Sequence, residues 1–204
     1  FKPRNMHLWV RLTVVHLIIG YGAGLTIPFM NLFFTDRMGF STDALGAVMA
    51  ASSFAMVIAT FLTPRLVHRL GMLKATVLTQ ALSIPFFLIL AFTASPLVAV
   101  GAFIFRTGLM NLAGPIWRQL LMEVTPVDWR APVNSVSELG WSLGWAFSNQ
   151  TGGWLIEHAA DVLGGGSDGY TLPMLITIAV YIIAILLEAA LFWKVRDLGK
   201  LGPG

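Results

Sequence analysis

The sequence predicts an all-α integral membrane protein with six transmembrane helices in a single domain spanning residues 1–204. Three observations carry that expectation. Of 204 residues, 56% are hydrophobic and only 11% charged, whereas soluble domains carry about 25% charged residues. Six stretches are long and apolar enough to approach the roughly 20 residues that a bilayer-crossing helix needs. The charged residues and turn formers gather in the breaks between those stretches.

The expected helices run, in order, over about 8–34, 44–62, 75–92, 97–122, 133–156 and 172–193. The first lacks a small-residue cleavage pattern and is long enough to span. Pro28 and Pro85 are expected to bend the first and third helices. Asn111, Gly114 and Pro115 mark an expected kink in the fourth, where a proline frees backbone groups for polar neighbours to satisfy. In the fifth, Gly140, Gly144, Ser148 and Gly152 recur every four residues, a small-residue stripe that lets another helix approach closely. The connections at 35–43, 63–74, 93–96, 123–132 and 157–171 are expected as loops.

Orientation follows from the basic residues. Lys2, Arg4, Arg11, Arg65, Arg69, Lys74, Arg130, Lys194, Arg196 and Lys200 all fall on one predicted side, and Arg37 alone on the other. Both termini are therefore expected in the cytoplasm, in a multi-pass protein of the cell (inner or plasma) membrane. Trp9, Trp129 and Trp193 sit where interfacial anchors are favoured. A net charge of +3 in short basic clusters suits a membrane surface and gives no case for nucleic acid. The absence of cysteine excludes disulfides and thiolate metal sites. No metal or cofactor is expected, and no nucleophile–base pair or paired carboxylates suggest an enzyme. The Gly20-x-Gly22-x-Gly24 run lies inside a helix with no preceding strand, so it is not read as a nucleotide loop.

Three stretches together resemble the major facilitator superfamily. Between the second and third helices, Thr63-Pro64-Arg65-Leu66-Val67-His68-Arg69-Leu70-Gly71 is similar to the family's cytoplasmic loop motif. Arg69 and Gly71 match it, while His68 and Pro64 replace the preferred Asp and Gly. Gly152-Gly153 matches the end of a fifth-helix motif whose central Gly-Pro is replaced by Ser148-Asn149. Met122–Ala131 is similar to an acidic, proline-containing turn before the corresponding helix. The resemblance implies one six-helix half, the C-terminal one, built as two inverted three-helix repeats. It also implies a second six-helix half, in the same polypeptide or as a paired copy. The start at Phe1 rather than Met is expected of a piece of a longer chain.

Ionisable groups at mid-depth cost about 2.5–3.5 kcal/mol each, which directs attention to a few residues. Arg106 is central in the fourth helix. The resemblance places it beside a substrate path, where a guanidinium suits an anion; the alternative is a structural partner for a carboxylate of the other half. Arg118 and Glu138 match in depth on neighbouring helices and are expected to form a structural or gating ion pair. His16 shares a polar and small-residue face with Thr13, Gly20, Ala23, Ile27 and Asn31, as cavity lining or as a packing histidine. Asn111 and the face Asn134, Glu138, Trp141, Trp145 and Asn149 are further cavity candidates. Glu188 is expected to reach the cytoplasmic interface and to have no role. The function these features suggest is secondary transport of a small solute by alternating access. The alternative is a non-transporting structural or assembly subunit of a larger membrane complex.

Overall fold

The computed structural model describes residues 6–163 and 169–193. Lys2, Arg4, Lys194, Arg196 and Lys200 of the charge argument lie outside the described residues. So does Gly165, in the connection before the last helix.

Among the described residues there are six long helical segments. The first, α1, runs over Met6–Thr26 and continues without a break through a 3-10 turn at Ile27–Phe29 to a π-type turn at Phe33–Arg37. Pro28 sits in the 3-10 turn, where its missing N–H is harmless. Then come α2 (Thr42–Leu70), α3 (Met72–Phe92), α4 (Pro96–Val124), α5 (Arg130–Leu163) and α6 (Thr171–Trp193). The Ser41 hydroxyl caps α2 by accepting from the Ala44 amide at 3.3 Å. Pro85 and Pro115 lie within continuous helices.

Two sequence expectations are corrected. The 63–74 connection is not a loop: α2 continues through Pro64 and Arg69, and Gly71 alone turns the chain into α3. Its φ of +78° is a backbone conformation that glycine adopts without strain. The second correction concerns apolarity. Five described helices are long and apolar enough to cross a membrane, and α5 is not among them. Its place comes from packing. It runs parallel to α1, with Gly140 beside Thr13, Gly144 beside Leu17 and Gly152 beside Leu25. A helix in contact over twelve residues with a span crosses alongside it.

The packing has an internal symmetry. The main contacts are α1 on α5 and α6, α4 on α2 and α3, and α3 on α6. Exchanging α1 with α4, α2 with α5 and α3 with α6 maps this set onto itself. A shift of three helices reverses direction through the bilayer, so the two triplets are inverted repeats. α2 is the least enclosed of the five apolar spans, and exposes Phe54, Val57 and Phe61.

The α1–α5 seam sets the tightest constraint. A Cβ built at Gly144 would lie 2.6 Å from the Leu17 carbonyl oxygen, and one at Gly20 would lie 2.8 Å from that of Trp141. At Gly24 it would lie 2.7 Å from the Trp145 carbonyl oxygen, and Gly152 abuts the Leu25 carbonyl. A Cβ built at Gly22, on the opposite side of α1, would lie 2.8 Å from the Tyr181 ring of α6. Thr177 Oγ1 donates to the Gly22 carbonyl at 3.0 Å on the same side. The alternating glycines of α1 thus serve two neighbours at once.

Gly144→Ala should therefore force the helices apart and cost about 1–3 kcal/mol, the range for overpacking. Gly46→Ala, where nothing lies within 4 Å of the added carbon, should leave stability unchanged or slightly raised. Melting temperatures of the purified variants check this, and equal melting would contradict the seam.

Candidate functional site

The α1–α5 seam fixes where the polar residues fall. His16 Nδ1 lies 3.3 Å from the Ser137 hydroxyl of α5. Its ring meets Trp117 of α4 edge-on at 5.5 Å and Trp141 of α5 at 5.0 Å. Trp145 continues the aromatic wall, 6.0 Å from Trp141. Three helices thus surround one imidazole with two indoles and a hydroxyl. Trp117 is buried, whereas His16, Trp141 and Trp145 are half-buried.

Beside this cluster, Arg118 Nη2 donates to Glu138 Oε1 at 3.2 Å. The side chains are 66% and 43% exposed, so the pair stands at the open edge of the half rather than inside it. Both charges lie within electrostatic reach of His16. Thr13 Oγ1 and Trp117 Nε1 are buried with no hydrogen-bond partner, as is Asn149 Oδ1 farther along α5. Unpartnered buried polar atoms are costly.

The other sequence candidates are dispersed. Asn31 is exposed. Asn111 is half-buried and donates to the Thr107 carbonyl of its own helix at 2.8 Å. Arg69 is exposed in the last turn of α2, beside the Gly71 turn. Among the described residues, no three His, Asp or Glu side chains gather as metal ligands.

Arg106 lies elsewhere. It is buried within this half, its guanidinium 4.4 Å from the Phe87 ring of α3, and Nη2 donates to Tyr181 of α6 at 3.2 Å. Its partners are aromatic and belong to this chain, and its Nε has none. Glu188 corrects the sequence reading outright. It does not reach the interface but is fully buried, facing Gln80 of α3. Ser137, Trp117, Tyr181, Gln80 and Glu188 were all missed as site residues. For Tyr181 and Glu188 a signal existed: polar groups seven residues apart on an otherwise apolar helix share one face.

A model of the Major Facilitator Superfamily matches residues 12–202. Among solved structures, the chain is similar to the crystal structure of a bacterial homologue of the iron transporter ferroportin in the outward-facing state, with a TM-score of 0.67 and 17% identity. The match covers 94% of this chain and 48% of that one, so the chain spans about half the length of this relative. No curated protein matches.

Two predictions follow from the geometry. Arg118→Gln and Glu138→Gln should together cost less than the sum of their separate effects, by about 0.5–1 kcal/mol, the scale for pairs open to water. Additive losses in a double-mutant cycle would refute the pairing. Arg106→Ala should lower stability by roughly 2–4 kcal/mol, because it removes a buried group that three helices share, with Arg106→Lys in between. A folded Arg106→Ala protein with an unchanged melting temperature would show that this contact holds nothing together.

Proposed function

The chain belongs to the major facilitator superfamily, and from that premise we propose that it forms one half of a twelve-helix secondary transporter that moves a small solute by alternating access. The observation that carries this reading is the His16–Ser137–Trp117–Trp141 cluster. It joins α1, α4 and α5 at the open side of the half, with the Arg118–Glu138 pair at its edge. Aromatic walls with few, fixed polar groups are how small-molecule sites are built.

In this reading a second six-helix half, from the same polypeptide or a paired copy, faces the cluster and closes the path. The indoles exclude water and pack on the solute. His16 orients it, with its ring held by the buried Ser137 hydroxyl. The Arg118–Glu138 pair acts as a gate: its charges attract each other across α4 and α5, and separate when the halves rock. Arg106 in this account braces α3, α4 and α6 rather than holding the solute. Orientation follows the basic residues, with both termini in the cytoplasm.

Alternating access has a direct signature. In the full native polypeptide reconstituted in vesicles, a cysteine at Asn149 should react with impermeant thiol reagents added from either side, in proportions that a transported solute shifts. Reaction from one side only, unmoved by any solute, would favour a fixed structural or assembly subunit. Single cysteines at the exposed positions Ser95 and His68 report topology. Ser95 should label from outside, and His68 only after permeabilisation. External labelling at His68 would overturn the orientation.

A further inference from the structure

Two rungs join α3 to α6. At one, Phe87 meets Tyr181 edge-on at 5.8 Å. Gln80 lies seven residues before Phe87, and Glu188 seven residues after Tyr181. Because consecutive spans three apart run in opposite directions, those two side chains meet at a second rung, about two helical turns away. Glu188 has 0% exposure and Gln80 5%, so the carboxyl cannot be reached from the bilayer, from water or from another half.

The second rung has an unbalanced set of polar atoms. Glu188 Oε1, Glu188 Oε2 and Gln80 Oε1 are all buried without a hydrogen-bond partner of good geometry. The polar side chain facing Glu188 is Gln80. No charged group compensates it among the described residues. On α1, Arg11 is exposed, His16 is turned to Ser137 and the indoles, and Tyr21 is only half-buried. Arg37, at the far end of that span, binds the Ala91 carbonyl. On α3, Lys74 is exposed. On α5, Glu138 is bound to Arg118, Glu157 and Asp161 are exposed, and His158 binds its own helix. Arg106 of α4 is engaged at the first rung.

An unpaired carboxylate buried this way costs several kcal/mol, and such groups give up their charge instead. The neutral acid supplies the one thing the rung lacks, a donor. We propose that Glu188 and Gln80 form a proton-binding site, in which the Glu188 carboxyl O–H donates to Gln80 Oε1 and Gln80 Nε2 donates back to the other carboxyl oxygen. The cyclic acid–amide pair satisfies all three orphaned oxygens with a single proton. With no exposed surface, the proton passes to or from water only when α3 and α6 move apart at this level. Proton occupancy therefore reports, and biases, the separation of these two helices. This inference stands whatever solute the protein carries.

Infrared spectroscopy of the full protein in lipid tests it. At neutral pH a protonated-carboxyl C=O band should be present in wild type and absent in Glu188→Gln, with equal intensity in sodium and potassium buffers. In Gln80→Leu the band should move to higher frequency, as the acid loses its partner. A Glu188 signal confined to the carboxylate region at neutral pH would overturn the proposal. So would a band that sodium removes, which would make the rung a metal-cation site. If Glu188→Gln folds poorly, Gln80→Leu decides alone: an unmoved band overturns the pair.

Discussion

The close approach of α1 and α5 is the constraint on which the rest of the structure depends. Between Thr13 and Leu25 on one helix, and Gly140 and Gly152 on the other, backbone lies against backbone, with carbonyl oxygens where side chains would otherwise stand. In a bilayer, lipid tails are as apolar as leucine, so helices associate through close packing and hydrogen bonds rather than by escaping water. Glycine and serine permit that packing. It also lets α5 carry serines, asparagines and Glu138 through the membrane although α5 itself falls short of the apolarity of the other spans. The polar face of α5 survives because its small-residue face is held by α1.

The same seam sorts the polar residues into two groups. On the open side, His16, Trp141 and the Arg118–Glu138 pair remain half-buried or exposed and keep some access to whatever faces the half, with the buried Ser137 hydroxyl beside His16. On the enclosed side, Arg106, Tyr181, Gln80 and Glu188 are sealed between α3, α4 and α6. Groups of the first kind are suited to a passing solute. Groups of the second kind are suited to fixing, or sensing, how the three helices sit together. Gly22 against Tyr181 links the two, since α1 touches both α5 and α6 through glycines on opposite faces.

Most of the helical arrangement was legible in the sequence, because apolar length and charged breaks are imposed by the bilayer itself. The small-residue stripe of α5 was also legible, since its four-residue period has one physical use. The helix ends were not. Hydropathy falls where a helix enters the interface, but the backbone there stays helical, and so α2 runs on to Leu70. The site residues were only partly legible. His16, Trp141, Arg118 and Glu138 stood out as polar or aromatic groups at depth, and they cluster. For Arg106 and Glu188 the residue was legible but its surroundings were not, because depth along a helix says nothing about which face a residue occupies. Gln80 and Ser137 were invisible alone, as their meaning comes from a partner on another helix.

The central claim is that α1 and α5 touch backbone to backbone and thereby place His16 against Ser137 and Trp141. A disulfide across the seam tests it most directly, and the chain's lack of cysteine gives a clean background. A Cβ at Gly140 would lie 3.9 Å from that of Leu17, inside the range of about 3.5–4.5 Å that a disulfide requires. Leu17→Cys with Gly140→Cys should crosslink under mild oxidation, while Leu17→Cys with Ser142→Cys, on the other side of α5, should remain free. Equal crosslinking of both pairs, or none in the first, would contradict the account.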